Sequence, residues 1–177
     1  MTDLASPPDR PDRVARLNGL SQDEALAVFL RCCGATRWAS SMASARPFAD
    51  DAALDSAVAS AFATLIREDW LEAFAHHPRI GDVSRLRERF AHSGDLSEKE
   101  QGVAMAAANE AIIQRLFALN QGYEARHGHI FIVCASGKSA AEMTALLEAR
   151  IDLDLDAEVD NCAAEQAKIT ALRLAAL

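Results

Sequence analysis

The sequence predicts an all-α fold: a compact, multi-helix single domain with one short extended segment near residues 130–135. Three observations carry this. Alanine is abundant while glycine (8) and proline (5) are few among 177 residues, which favours helix. Two Ser-x-x-Glu boxes, Ser21 to Glu24 and Ser97 to Glu100, have the form of helix starts. Between the chain breakers, apolar residues recur three and four positions apart. Apolar residues make up 50% of the chain, enough at this length for one domain with a real core.

Residues 1–16, with Pro7, Pro8 and Pro11, read as a flexible tail ahead of a domain over 17–177. Leu17-Asn18-Gly19-Leu20 reads as a turn. Ser21 then caps a helix carrying Ala25, Val28, Phe29 and Cys32 on one face, with Gly34 as its stop. A second helix is expected from Thr36 to Ala45, before Arg46-Pro47-Phe48. Asp50 and Asp51 suit the cap of a long run from Ala52 to Ala75, bending near Arg67-Glu68-Asp69. Pro78 ends that run, because the residue before a proline disfavours helical geometry. It also fixes where His76 and His77 point.

A short helix is expected over Ser84 to Phe90 and a turn at His92-Ser93-Gly94-Asp95. The Ser97 box opens a long helix to about Arg126, with Val103, Ala107, Ile112, Leu116 and Leu119 facing the core and His127-Gly128 as its end. Ile130 to Ala135 is too short for periodicity to separate a strand from a buried extended segment. Gly137-Lys138-Ser139 turns into a helix ending near Arg150. Asp154 or Asp156 caps a final helix with Ile169, Leu172 and Leu174 inward. The sum is at least six helices and no internal repeat.

The net charge of −8 argues against a nucleic-acid footprint or a polybasic membrane surface, though a negative protein can still present local positive charge to an anionic substrate. No apolar run reaches membrane-spanning length. The polar, proline-rich start does not read as a signal peptide, nor the final Ala-Ala-Leu as a peroxisomal address, so the cytoplasm is the expected compartment. Cys32, Cys33, Cys134 and Cys162 form no C-x-x-C pair and read as reduced, structural thiols.

Several chemistries fail on spacing. The five histidines include neither an H-E-x-x-H motif nor an i, i+4 pair, so no metal site is expected. Gly137-Lys138-Ser139 lacks the glycine five positions earlier that a phosphate loop needs, since Ile132 stands there. Cys134 lies in an apolar run, which suits an inert thiol. Ser97 and Glu100 are explained by helix capping alone. Equally, a helix N-terminus flanked by Glu100 and Gln101 can hold an anionic or amide-bearing ligand.

Motifs in order carry a resemblance. They are Leu17-Asn18-Gly19-Leu20, Cys32-Cys33-Gly34 with Trp38, Arg46-Pro47-Phe48, and His77-Pro78-x-Ile80-Gly81. Then come Ser97-x-x-Glu100-Gln101, Leu119-Asn120-x-x-Tyr123, Gly128-x-x-Phe131-Ile132-x-Cys134, and Ile169-x-x-x-Arg173-Leu174. From Leu17 to Leu174 the chain resembles the OHCU decarboxylase family, whose substrate is 2-oxo-4-hydroxy-4-carboxy-5-ureidoimidazoline (OHCU) and whose product is (S)-allantoin.

The resemblance implies an all-α, cofactor-free, usually dimeric lyase of urate breakdown. It places the catalytic histidine on His77, the essential acid on Glu100 and a substrate-contacting arginine on Arg173. It places further substrate contacts on Pro78, on Ser97, Glu98, Lys99 and Gln101, and on Phe131, Ile132, Val133, Cys134 and Ala135. This chain reads His127-Gly128-His129-Ile130 where the family carries Phe-Gly-Phe-Pro. His76, His127 and His129 inherit no role. The competing readings are a helical protein-interaction module without catalysis and a metal-dependent ureide amidohydrolase.

Overall fold

The computed structural model describes residues 13–79, 82–91 and 103–177. Among them are nine helices and no strand: α1 (Arg13–Gly19), α2 (Gln22–Cys32), α3 (Thr36–Ser44), α4 (Asp51–Ala63), α5 (Arg67–Ala75), α6 (Val83–Ala91), α7 (Val103–His127), α8 (Ala140–Arg150) and α9 (Leu155–Ala175). None of these is long and apolar enough to cross a membrane. Ile80-Gly81, the 92–95 turn and the Ser97 box lie outside the described residues.

Local chemistry accounts for most helix ends. Ser21 and Glu24 form a reciprocal capping box on α2, and Ser139 with Glu142 does the same on α8. Asp50 caps α4 by accepting from the Ala53 amide at 2.8 Å, and Asp154 caps α9 by accepting from the Ala157 amide at 3.0 Å. Gly128 follows α7 at φ +75°, the left-handed cap that glycine adopts without a Cβ penalty, and its amide bonds the Glu124 carbonyl at 2.9 Å. The start of α3 is capped from a distance: the Glu72 carboxylate of α5 accepts from the Thr36 amide at 2.9 Å.

Four expectations need correction. Arg13 to Arg16, expected in the tail, and Leu17 to Gly19, expected as a turn, are helical in α1, because Val14 and Leu17 bury against the core. The break in the Ala52–Ala75 run falls at Thr64-Leu65-Ile66, ahead of Arg67-Glu68-Asp69. There the Thr64 hydroxyl donates to the Ala61 carbonyl at 2.8 Å, and the Asp69 carboxylate accepts the Ile66 amide at 3.0 Å. The turn brings Trp70 back onto Phe62, which is stacked between Trp70 and Trp38 with both centroid separations 5.3 Å. Leu172, expected inward, is 51% exposed, because it stands where a cavity opens beside α9.

Two apolar clusters form the interior. One gathers α1 to α5 with α9, around Phe29, Trp38, Met42, Leu54 and Phe74. The other gathers α6, α7 and α8, around Leu86, Ile113, Leu116, Tyr123 and Leu147. Of the expected α7 core positions, Leu116 is buried and Ile112 and Leu119 are half-buried. The 130–135 segment runs between the clusters. Its side chains alternate in the manner of extended backbone: Ile130 and Ile132 enter the first, Phe131, Val133 and Ala135 the second.

With no sheet ladder there, side chains satisfy the segment's backbone. Arg150 donates to the Ile132 carbonyl at 3.1 Å, and Lys138 to the Cys134 carbonyl at 2.7 Å. The Cys134 amide donates to Glu165 at 2.7 Å, and His129 Nδ1 to the Ile130 carbonyl at 3.0 Å. Arg150 is itself locked. Its Nη2 donates to Glu158 Oε1 at 2.6 Å, its guanidinium lies 4.6 Å from the Phe131 ring centroid, and Glu158 is fully buried. Tyr123 donates a further hydrogen bond to the same carboxylate. Burial raises the Glu158 carboxyl, but Arg150 and Tyr123 outweigh it and hold the group below its usual range.

Several motif residues are structural. Arg46 Nη1 donates to the Leu17 carbonyl at 2.8 Å and the Leu20 carbonyl at 2.7 Å, closing the end of α1. The Asn18 side chain brackets Phe48, donating to its carbonyl at 2.8 Å and accepting its amide at 2.9 Å. Gly34 lies under His76: a Cβ there would stand 2.4 Å from the imidazole Cγ.

Glu158→Gln removes one charge of a buried pair and should lower stability in urea denaturation by about 3–5 kcal/mol. A double change, Arg150→Met with Glu158→Leu, should cost less than either single change; losses that simply added would show the two groups to be uncoupled. Because Glu158 is held below its unfolded value, its contribution is present at neutral pH and fades as pH falls through the folded value. Wild type should therefore lose more stability on acidification than the double variant. Gly34→Ala should cost about 1–3 kcal/mol by the same assay, since the new Cβ would meet the first side-chain carbons of His76, close to its backbone.

Candidate active site

His77 sits one residue past the C-cap of α5. Its amide still bonds the Phe74 carbonyl at 3.1 Å, and Pro78 then turns the chain away. His77 Nε2 lies 2.6 Å from Gln166 Oε1 of α9. Seven residues along the same helix, so on the same face, stands Arg173. Arg173 Nη1 donates to the Arg31 carbonyl at 3.2 Å and the Cys32 carbonyl at 3.1 Å. The negative, carbonyl-bearing end of α2 thereby fixes the guanidinium.

His77 and Arg173 meet at one cavity of about 490 Å³. Its floor is the extended segment from Ile130 to Ser136, and Pro78, Asn120, Met143, Ile169, Leu172 and Ala176 complete the wall. Burial holds the His77 imidazole below its ordinary value; the positive charge of Arg173 and neighbouring His76 act in the same direction, and the Gln166 hydrogen bond opposes them. At neutral pH the resting imidazole is therefore uncharged and able to accept a proton. The cavity offers one fixed cation, one neutral imidazole and exposed backbone, which suits a small, planar, anionic ligand rich in amide-like groups.

Of the residues expected at a site, the structure brings together His77, Pro78, Phe131, Ile132, Val133, Cys134, Ala135 and Arg173. Ser97, Glu98, Lys99, Glu100 and Gln101 lie outside the described residues. Cys134, read with the other three cysteines as a structural thiol, differs from them in its surroundings. It is half-exposed on the cavity wall, whereas Cys32, Cys33 and Cys162 are buried. Among the described residues no group of three or more His, Cys, Asp or Glu side chains is placed to hold a metal ion.

His76 stands outside the cavity, with Nδ1 donating to the Glu72 carbonyl at 3.0 Å. His127 and His129 are buried in the aromatic cluster behind the site. His129 packs on Phe74 at 5.3 Å and Tyr123 at 5.7 Å, and His127 packs on Tyr123 at 4.5 Å. Sequence reasoning missed Gln166, Asn120 and Glu165. Gln166 had one available signal: it is a polar residue at i−7 from Arg173, within the otherwise inward stripe of the last helix.

The family described as OHCU decarboxylase matches residues 18–175. The chain is 36% identical over 148 residues to the uric acid degradation bifunctional protein TTL of Arabidopsis thaliana, covering 82% of this chain and 45% of that protein. It is 26% identical over 162 residues to a 2-oxo-4-hydroxy-4-carboxy-5-ureidoimidazoline decarboxylase of Haloferax volcanii, covering 90% and 92%. It thus spans less than half of the first relative and nearly all of the second. Among solved structures, an OHCU decarboxylase crystallised in the presence of (S)-allantoin superposes with a TM-score of 0.65 at 29% identity, covering 88% of this chain and 96% of that one. An (S)-allantoin synthase shares the fold at a TM-score of 0.65 and 18% identity, over 94% of this chain and 53% of its own. With the family match spanning residues 18–175, the chain belongs to the OHCU decarboxylase family.

Proposed function

We propose that this chain decarboxylates 2-oxo-4-hydroxy-4-carboxy-5-ureidoimidazoline to (S)-allantoin, as a carboxy-lyase of urate breakdown. The observation that carries the reading is the convergence of His77 and Arg173, 96 residues apart in sequence, on one cavity floored by extended backbone. Decarboxylation needs an acceptor for the electron pair left when CO₂ departs. The substrate supplies one in the ring imine beside the carboxyl-bearing carbon, so the protein's tasks are orientation, charge placement and protonation of one face.

Arg173, anchored on the Cys32 carbonyl, presents a rigid fork to carboxylate or ureido oxygens. Backbone groups of Phe131 to Ala135, with Pro78, define the plane of the ring. Glu100 and Gln101 accept from ring and ureido N–H groups, while Ser97, Glu98 and Lys99 make further substrate contacts, N–H groups near Ser97 donating to the anion. Neutral His77 takes the proton of the 4-hydroxyl as that oxygen becomes a carbonyl. As imidazolium it returns a proton to the new stereocentre, while solvent supplies the one net proton that decarboxylation consumes. The protein works without a cofactor, as a cytoplasmic homodimer.

The test generates the unstable substrate in situ from urate with excess upstream enzymes and follows allantoin chirality by circular dichroism, with chelator present. Wild type should give rapid, optically pure (S)-allantoin; slow racemic product matching the no-enzyme control would overturn the reading. His77→Ala and Glu100→Ala should each stay folded and lose roughly 10²–10⁴-fold in kcat. Arg173→Lys should also be poor, because a point charge does not copy a bidentate fork. Since burial lowers the His77 imidazole and the neutral form is the competent one, kcat/KM should fall on the acid side through a value below that of ordinary histidine. An acid limb at or above the ordinary value would exclude His77 as the group responsible.

A further inference from the structure

We propose that Thr170 and Gln166 act as positioning residues that fix the tautomer of His77, leaving Nδ1 as the nitrogen offered to the substrate. Hydrogen-bond polarity carries the argument. The Thr170 hydroxyl oxygen lies 2.9 Å from the Gln166 backbone carbonyl and 3.4 Å from the Cys32 carbonyl. Both carbonyls only accept, so the single hydroxyl hydrogen is committed to one of them. Thr170 Oγ1 must then accept from the Gln166 side chain, 3.2 Å away, which makes that end of the amide the nitrogen. The opposite end is the oxygen, 2.6 Å from His77 Nε2. An amide oxygen does not donate, so Nε2 carries the hydrogen and the lone pair of the neutral ring is on Nδ1.

Gln166 and Thr170 are both 0% exposed, so water does not compete for these bonds. With the Thr170 hydrogen committed to a carbonyl, an amide flipped end for end would set its oxygen against the Thr170 oxygen, two acceptors face to face, which burial makes costly. In this relay the nearer acceptor for the Thr170 hydroxyl is the Gln166 carbonyl of α9 itself; the Cys32 carbonyl, which also accepts from Arg173, stands farther off. The consequence for turnover rests on the proposed decarboxylation; the tautomer itself does not.

The experiment uses the full chain labelled with ¹⁵N-histidine, free of ligand, above the His77 titration. Two-bond ¹H–¹⁵N correlations report which ring nitrogen bears hydrogen, and the His77 pattern is assigned by its loss in His77→Asn. Wild type should show hydrogen on Nε2; hydrogen on Nδ1, or an even mixture, overturns the proposal. Thr170→Val keeps the shape but removes the polarity signal. It should shift His77 toward mixed tautomers and lower kcat roughly tenfold or more with little change in KM. Thr170→Ser should restore the wild-type nitrogen pattern. An unchanged tautomer and kcat in Thr170→Val would remove Thr170 as the source. If Thr170→Val does not fold, the wild-type tautomer alone decides. If wild type shows Nε2–H but turns over no substrate, the relay stands and the decarboxylase reading falls.

Discussion

The buried Arg150–Glu158 pair is the contact on which the site's architecture turns. The cavity floor is a stretch of extended chain with no partner strand, lying between two apolar clusters. Its carbonyls and amides have no ladder to join. Arg150 answers one of them directly, at the Ile132 carbonyl, and is held for that task by Glu158. An ion pair taken out of water is costly unless its remaining donors and acceptors are met. Here Tyr123, Asn161 and Cys162 surround the same two groups. The pair ties α7, α8, α9 and the floor into one unit.

The last helix presents polar groups where a helix of this burial ordinarily shows leucine. Glu158, Cys162, Glu165, Gln166, Thr170 and Arg173 follow one another down its inner side. The first three hold the floor, and the last three address His77 and the end of α2. Polarity on that side is tolerable because each group meets a defined partner, and it is useful because the cavity lies beside it. The low hydrophobic periodicity of the helix is thus the trace of its work.

The His127-Gly128-His129-Ile130 departure has a physical reading. Both imidazoles sit within the aromatic cluster of Phe74, Tyr123 and Phe131, filling ring-shaped space. Each also donates to a backbone carbonyl, His127 to Ile151 and His129 to Ile130. Burial holds the His129 imidazole below its ordinary value, consistent with a neutral ring packed as an aromatic. These histidines support the floor from behind; the cavity itself is lined by His77.

Helix identity was legible in the chain because its signals are local. The box at Ser21, the caps at Asp50 and Asp154 and the glycine after His127 need only neighbouring residues to act. Family motifs likewise picked out His77, Arg173 and the 131–135 floor as belonging together. The break after α4 was misplaced because Trp70 stacking on Phe62 is a contact between helices. Gln166, Asn120 and the Arg150–Glu158 pair were not read as part of the site, because a polar residue in a helix looks solvent-facing until a partner far along the chain is in place. By itself the sequence determined most of the helices and the family, through patterns a few residues long. Only the tertiary structure decided how the floor's backbone is satisfied and which nitrogen of His77 is held, because hydrogen-bond partners are assigned by proximity in space.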